Sequence, residues 1–287
     1  MPEEPFDLWL PPAQATSAAI FNSPHSGSDY HGSFLGRTRL APLLLRSSED
    51  AFVDRLFASA PDNGAPLLAA RVPRAYVDLN RAADDLDPAL ITGAARRASN
   101  PRIAAGLGVI PRVVAEGRPI IEGKLSLTEA EQRLNTVWRP YHARLSALVA
   151  ETLAREGVAL LFDCHSMPRD ALAGAPMVWG RRPDVILGDR FGAACDRSVI
   201  EAAAEAFTAQ GFVVARNAPF AGGYITQSYG RPRLRVHALQ IEIDRSLYMD
   251  ERRIEPLPGF PEMAARIGRV VAVLARLRPQ ILPLAAE

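Results

Sequence analysis

The stretch VALLFDCHSMP at residues 158–168 constrains the fold of this chain more than any other feature. It begins with five consecutive apolar residues, a pattern typical of an interior strand that is covered on both faces. It directly follows a helical pattern over residues 128–156, which Gly157 ends. A buried strand that follows a long helix indicates an α/β sandwich.

The same alternation of strand and helix patterns runs through most of the chain. Thr128 and Glu131 have the spacing of a capping box at the start of the long helix. Strands are predicted at residues 17–22 and 212–217 and within residues 235–249, and a strand pair or a strand followed by a loop is predicted at residues 67–79. Further helices are predicted at residues 45–60, 192–210 and 261–277. We therefore predict a three-layer α/β sandwich with a mixed, largely parallel central sheet.

Domain organisation follows from the length of the chain and from the lack of a recognisable linker. The 287 residues suffice for one large α/β domain. Residues 84–125 interrupt the alternation, because they are rich in glycine, proline and arginine. Insertions of this kind often form loops over an active site. We predict a single domain over residues 1–287, with a loop-rich insertion at residues 84–125.

Charge and cysteine content exclude several classes of partner. Lys and Arg number 33 against 32 Asp and Glu, a formal charge of +1, which gives no sign of a nucleic-acid or anionic-membrane partner. No window approaches the roughly 18 to 20 apolar residues of a membrane span. Two cysteines make a disulfide framework unexpected, and residues 1–10 lack the pattern of a signal peptide. The expected setting is the cytoplasm.

The polar end of the apolar run at residues 158–168 is the first functional clue. Either an ordinary strand reaches the surface at Asp163, or the strand delivers His165 into a site. A second apolar strand is followed by His25, and a third carries Glu242 on its polar face. Ligands bind at the carboxyl ends of strands in open α/β sheets. We therefore treat these three residues as a candidate site.

Two histidines and a carboxylate are the ligands that a zinc hydrolase uses, with one position left for water. The segment SSEDAFVD offers Glu49, Asp50 and Asp54 as the acidic ligand. The alternative role of these carboxylates is to stabilise a helix N-terminus. Water bound to a metal also needs a base, for which Glu242 is the candidate. The alternative for Glu242 is an exposed position on an edge strand.

Several arginines could bind a substrate carboxylate through paired hydrogen bonds. Each could equally be a solvated or ion-paired surface residue. They are Arg74, Arg81, Arg112, Arg118, Arg231 and Arg233. The sequence contains no HExxH, GxSxG, Walker A or GxGxxG motif, which argues against those hydrolase and nucleotide-binding classes.

Six segments together resemble the N-formylglutamate amidohydrolase family. They occur in family order from residue 22 to residue 251: NSPHSGSDY, EDAFVDRLF, RAYVDLNR, LFDCHSMP, NAPFAGGYITQSYGRP and HALQIEIDRSLYMDE. The resemblance implies an α/β fold of the zinc-exopeptidase type. It also implies metal-dependent hydrolysis of N-formyl-L-glutamate to formate and L-glutamate, at the end of histidine breakdown. The partner would be a small acidic molecule.

The resemblance assigns roles to particular residues of this sequence. His25, Asp50 and His165 would bind Zn²⁺ or another divalent ion, with Glu49 as the alternative to Asp50. Glu242 would be the catalytic carboxylate. The substrate pocket would be lined by Arg74, Asn80 and Arg81 and by the GGYIT turn, with Gly222, Gly223 and Thr226.

Two other functions stay open at this stage. One is a metalloamidase that acts on another N-acyl amino acid or on a small peptide. The other is a non-catalytic protein that keeps the fold and binds an acidic metabolite. Both share the predicted fold, so the chemistry of the site has to distinguish them.

Overall fold

The computed structural model describes residues 4–14, 16–95, 100–114 and 117–278. Within these ranges the strands are β1 Phe6–Trp9, β2 Ala19–Ser23, β3 Leu67–Ala70, β4 Ile91–Thr92, β5 Leu125–Ser126, β6 Ala159–Met167, β7 Val185–Gly188, β8 Val214–Arg216, β9 Val236–Asp244, β10 Met249–Asp250 and β11 Glu255–Pro256. The helices are α1 Gly32–Leu35, α2 Pro42–Arg46, α3 Val53–Leu56, α4 Pro101–Ala104, α5 Leu127–Arg133, α6 Arg139–Glu156, α7 Arg197–Ala209, α8 Tyr224–Tyr229 and α9 Phe260–Ala275. A π-helical segment, Leu134–Trp138, joins α5 to α6.

Seven strands form the central sheet in the order β1-β3-β2-β6-β9-β7-β8. The four strands β3, β2, β6 and β9 are mutually parallel, so their carboxyl ends meet at one edge. Strand β1 is antiparallel to β3, and the parallel pair β7 and β8 runs antiparallel to β9. The mixed, largely parallel sheet predicted from the sequence is therefore confirmed.

Hydrophobic clusters on both faces of the sheet make the molecule three layers deep. Helices α3, α7 and α9 supply apolar side chains to one cluster, and α5, α6 and α8 supply them to the other. Strand β6 contributes to both, because Leu160 and Phe162 face the first and Leu161 faces the second. This double burial explains the continuous apolar run in the sequence and confirms the three-layer sandwich.

Near the carboxyl end of β6, polar side chains replace apolar ones on only one face of the strand. Cys164 stays in the apolar cluster behind the sheet, fully buried. Asp163 and His165 alternate with it and lie on the opposite face. Both are buried, so the strand does not end in ordinary surface residues.

Most predicted helices form, with shifted ends. The long helix starts at Leu127 and stops at Gly157, whose φ of 73° places it in the left-handed region that glycine favours. Its N-cap is Ser126, whose hydroxyl accepts a hydrogen bond from the Glu129 N–H, so the Thr128–Glu131 capping box is wrong by two residues. The predicted helices at residues 192–210 and 261–277 correspond to α7 and α9.

The predicted helix at residues 45–60 is wrong. The chain forms two short helices there, α2 and α3, separated by a segment that carries Asp50. The Asp50 N–H donates to the His25 carbonyl at 2.9 Å, and Phe52 has a φ of 66°, outside helical geometry. Ala51 and Phe57 lie outside the helices but are buried in the core, so helical spacing of these apolar residues reflects burial and not helix formation.

Of the two alternatives for residues 67–79, the strand followed by a loop is correct, with β3 over Leu67–Ala70. The chain then turns, and Tyr76 N–H donates to the Pro73 carbonyl at 2.9 Å. This turn brings Asp78 and Asn80 under the carboxyl edge of the sheet.

Within the described residues, no helix has the length and hydropathy needed to cross a bilayer.

Candidate active site

The carboxyl ends of β2, β6 and β9 bring the predicted site residues together. His25 follows β2 by two residues, and His165 lies near the end of β6. Glu242 on β9 is the register partner of His165 across the parallel pair. Strands of the sheet thus carry His165 and Glu242 directly, whereas His25 lies in the turn that follows β2.

His25, Asp50 and His165 form one buried cluster. One potential ligand atom from each residue lies within 4.8 Å of the other two. Asp50 Oδ2 is 2.9 Å from His165 Nδ1 and 3.4 Å from His25 Nδ1, and the two imidazole rings are 4.8 Å apart. Each histidine therefore directs its Nδ1 atom toward the same point.

Two further carboxylates contact the Nε2 nitrogens of these histidines. Asp78 Oδ1 lies 2.7 Å from His25 Nε2, and Asp163 Oδ2 lies 3.0 Å from His165 Nε2. Carboxylates in this position fix the tautomer and ring orientation of metal-binding histidines. The buried His25 Nδ1 has no hydrogen-bond partner among the described residues. The donor set of two imidazoles and a carboxylate fits a divalent metal such as Zn²⁺.

Asp50, and not Glu49, faces the histidines. Burial alone would raise the pKa of Asp50, but contacts with His165 and His25 and the positive Arg245 hold it well below its usual range. The Arg245 guanidinium donates to Asp50 Oδ1 at 2.8 Å. The Glu49 carboxylate is instead occupied by Arg46 and by the Tyr30 hydroxyl. Asp54 lies outside the cluster, on α3.

Glu242 is buried beside this cluster, on the neighbouring strand β9. Burial raises its pKa to about 7, with nearby Asp50 adding to the increase and His165 opposing it. Gln240, two residues earlier on the same strand face, donates its amide N–H to Glu242 Oε1 at 2.8 Å. A carboxyl group with a pKa near neutrality is suited to accept and return a proton.

A cavity of about 330 Å³ opens onto the cluster. Its wall includes the three clustered residues and Glu242, together with four arginines: Arg74, Arg81, Arg102 and Arg245. Arg74 donates to Asp78 Oδ2 at 2.8 Å, and the buried Arg81 Nε has no hydrogen-bond partner in the described part of the chain. Cationic groups and the carboxylate of Glu242 therefore line the same cavity.

Asn80 connects the cavity to α8. Its Oδ1 accepts a hydrogen bond from the Ile225 N–H at 2.8 Å, and its amide nitrogen lies 3.5 Å from Asp163 Oδ2. Gly223 packs directly on this amide, where a Cβ atom would overlap the Asn80 side chain. The close approach explains why glycine occupies position 223.

The other residues of the GGYIT turn have different surroundings. Gly222, with φ of 129°, lines the cavity together with Gly223. Thr226 does not line it, because its side chain is fully buried and its hydroxyl donates to the Gly223 carbonyl at 2.9 Å. Thr226 thus supports the turn from behind.

Four of the six candidate arginines lie outside this cavity: Arg112, Arg118, Arg231 and Arg233. Arg112 pairs with Asp87 at 2.8 Å within the insertion.

Sequence reasoning missed four residues that the structure brings to the site: Asp78, Arg102, Gln240 and Arg245. Gln240 could have been found, because residues 240 and 242 share a strand face. Asp78 reaches the site through an irregular turn that has no periodic signal.

Comparisons with known proteins identify the family of this chain. The family model of the N-formylglutamate amidohydrolases matches residues 17–249. The N-formylglutamate deformylase of Pseudomonas aeruginosa is 37% identical over 209 residues, which are 71% of each chain. That of Pseudomonas putida is 34% identical over 209 residues, covering 70% of this chain and 71% of the relative.

A crystal structure of N-formylglutamate amidohydrolase from Ralstonia eutropha has a TM-score of 0.87 to this chain at 35% identity. The match covers 94% of this chain and 97% of the other. The resemblance drawn from the six sequence segments is thereby confirmed. The chain belongs to the N-formylglutamate amidohydrolase family and is a hydrolase that acts on amide C–N bonds.

Proposed function

We propose that this protein hydrolyses the N-formyl amide of N-formyl-L-glutamate, in a metal-dependent reaction that yields formate and L-glutamate. The observation that carries the proposal is the buried cluster of His25, Asp50 and His165, with Glu242 beside it on the neighbouring strand. The names of the two Pseudomonas relatives support the choice of substrate. The corresponding physiological role is the last step of histidine degradation.

His25, Asp50 and His165 would hold the divalent ion, for which Zn²⁺ is the first candidate because of the donor set. When bound, such an ion polarises the formyl oxygen and lowers the pKa of water toward neutrality. Asp78 and Asp163 keep the two imidazole rings oriented, as their contacts with the Nε2 atoms indicate.

Glu242 would transfer the proton in both halves of the reaction. It accepts a proton from the attacking water as the new C–O bond forms at the formyl carbon. It then delivers this proton to the amide nitrogen as the C–N bond breaks, so that formate and the amine of glutamate leave. The pKa of about 7 favours a group that performs both transfers.

The arginines of the cavity would hold the carboxylates of the substrate. Arg81 is the strongest candidate, because its buried Nε has no hydrogen-bond partner among the described residues and lies 3.9 Å from its ion-pair partner, Asp78 Oδ2. Arg74, Asn80, Gly222 and Gly223 would complete this binding surface, with Thr226 supporting the turn. Holding the carboxylates orients the formamide between the metal site and Glu242.

The direct test is formate release from N-formyl-L-glutamate by the purified protein, before and after a chelator, and after Zn²⁺ is restored. Loss of turnover with the chelator and recovery with Zn²⁺ is the expected result. A metal-loaded protein that releases no formate would contradict the proposed substrate. Turnover that persists in protein shown to be metal-free would contradict the metal dependence.

A second cavity favours one alternative substrate class. It has a volume of about 410 Å³, shares Ser48 and Arg74 with the first, and is otherwise lined mainly by apolar residues of the insertion: Ala105, Leu107, Pro111, Val113 and Val114. An N-acyl amino acid with a larger apolar group would find room there. A panel of N-formyl and longer N-acyl amino acids distinguishes the two substrates by kcat/KM.

A further inference from the structure

Gln240 is a buried amide with one unused hydrogen-bonding atom. It is only 5% exposed and lines the main cavity. Its Nε2 donates to Glu242 Oε1 at 2.8 Å, but its Oε1 atom has no hydrogen-bond partner among the described residues. A buried acceptor that lacks a donor costs free energy, so a donor is expected to approach it when the site is occupied.

The hydrogen bond to Glu242 defines the orientation of this amide. Its nitrogen lies toward the Glu242 carboxyl group, and its oxygen is the buried atom without a partner among the described residues.

The neighbours of Gln240 in the sheet offer no donor to Oε1. Asp163, its register partner on β6, is acceptor-only when ionised and already contacts Asn22 and His165. Gly188, its partner on β7, has no side chain, and the Ala221 backbone packs where a Cβ atom would lie. The cavity that Gln240 lines is therefore the space from which a donor can approach Oε1.

The substrate of the proposed function carries one uncharged donor close to the reacting bond, the N–H of its formamide. Its carboxylates and its formyl oxygen are acceptors only. We propose that Gln240 Oε1 accepts a hydrogen bond from this N–H, so that Gln240 is a substrate-positioning residue for the reaction. The inference rests on the proposed function, because it takes an N-acyl amino acid as the ligand.

One consequence of this contact concerns proton delivery. Because the same side chain donates to Glu242 and accepts from the substrate, it holds the amide nitrogen next to the carboxyl group that protonates it. The contact also selects secondary amides, since a tertiary amide has no N–H to donate. Selection of this kind is effective because a tertiary amide would leave the buried Oε1 atom without a hydrogen-bond donor.

The test compares N-formyl-L-glutamate with N-formyl-N-methyl-L-glutamate in the wild type and in Gln240→Met. In the wild type, methylation of the nitrogen is expected to reduce kcat/KM by about 10-fold or more. In Gln240→Met the same methylation is expected to change kcat/KM by no more than about 2-fold, because no acceptor remains to be left unpaired. If the tertiary amide is not turned over, its inhibition constant replaces kcat/KM.

This comparison separates contact with the substrate from support of Glu242. Any displacement of Glu242 in Gln240→Met affects both substrates equally and cancels in the ratio. The matched control is Gln227→Met, the same substitution at an exposed position on α8, which should keep the wild-type ratio. Gln240→Asn, which withdraws the amide by one methylene, provides a second variant if the methionine variant does not fold.

The outcomes distinguish failure of the Gln240 contact from failure of the proposed function. An equal methylation effect in the wild type and in Gln240→Met would overturn the inference and would indicate that water satisfies Oε1. Failure of the wild type to release formate from N-formyl-L-glutamate would instead overturn the proposed function, and the inference with it.

Discussion

At the level of single residues, the two nitrogens of each site histidine have different partners. The Nδ1 atoms of His25 and His165 converge with Asp50 Oδ2, while their Nε2 atoms contact Asp78 and Asp163. The negative Asp163 and Asp50 raise the pKa of His165 well above its usual range, even though burial opposes this. A bound cation would take the place of the proton that these carboxylates otherwise favour.

Replacing His165 with alanine should remove one of the three proposed ligands. We expect loss of bound metal and a decrease in kcat of about 10³-fold or more, since a metal supplies several kcal/mol of transition-state stabilisation. Metal content by atomic absorption and formate release measure the two effects. His31→Ala, outside the cavity, is the control.

Asp163→Asn tests the orienting role of the second carboxylate. The expected result is about 10- to 100-fold weaker metal affinity with the same ligands present. Full metal affinity in this variant, measured by competition with a chromogenic chelator, would contradict the role assigned to Asp163.

Glu242→Gln should separate proton transfer from metal binding. We expect kcat to fall by about 10²- to 10⁴-fold, the range for a lost general acid–base group, while the metal content stays at the wild-type level. Glu205→Gln, at an exposed position on α7, is the matched control. Wild-type kcat in Glu242→Gln would exclude Glu242 as the proton-transfer group.

At the scale of elements, the turn before α8 is held against the sheet by close packing. The Cβ atom of an alanine at position 223 would overlap the Asn80 amide. Because Asn80 also accepts from the Ile225 N–H, we expect Gly223→Ala to displace the turn, raise KM, and lower the free energy of unfolding by about 1–3 kcal/mol. Gly174→Ala, where a Cβ meets no atom within 4 Å, should leave both unchanged.

Helix α6 is joined to the rest of the site region through His142. Its Nε2 lies 2.9 Å from the Leu79 carbonyl and its Nδ1 lies 3.0 Å from the Tyr229 hydroxyl of α8. Burial lowers the pKa of His142 to about 4, so the folded protein keeps this side chain neutral while the unfolded chain binds a proton near pH 6.5.

The stabilising contribution of neutral His142 should therefore be complete above its unfolded pKa and be lost as the pH falls toward 4. Between about pH 7.5 and about pH 5 the expected loss is roughly 2 kcal/mol in the free energy of unfolding. Urea unfolding of the wild type and of His142→Gln at both values measures it. An equal pH dependence in the two proteins would contradict this account.

At the scale of the whole molecule, one sheet carries both hydrophobic clusters and the site. We propose on this basis that residues 1–287 form a single domain with the insertion at 84–125 as part of it. The insertion contributes apolar residues to the second cluster, including Leu90 and Ile110.

Metal removal should affect the stability of this whole unit. A ligand that binds only the folded state raises the free energy of unfolding, so chelation should lower Tm and added Zn²⁺ should restore it. We expect one cooperative calorimetric transition in both states, because the site lies on the central strands. Two separate transitions would contradict the single domain, and a Tm that is independent of metal would contradict the metal site.

The sequence predicts features that leave a periodic pattern of apolar residues better than features that leave none. The strand β6, the long helix ended by Gly157 and the carboxyl-end position of His165 were all predicted, because burial on two faces and helical spacing leave a pattern in the sequence. The helix at residues 45–60 was wrong, because apolar residues in an irregular segment can be buried at helical spacing.

The three-layer fold and the family are evident from the amino-acid sequence alone, since apolar runs and motif order are local properties of the chain. Which acidic residue faces the histidines depends instead on contacts in the folded protein. Glu49 and Asp50 are adjacent, and the hydrogen bond from the Asp50 N–H to the His25 carbonyl turns one inward while Arg46 and Tyr30 hold the other. Likewise Asp78, Gln240 and Arg245 join the site through contacts between distant segments, and no local pattern encodes such contacts.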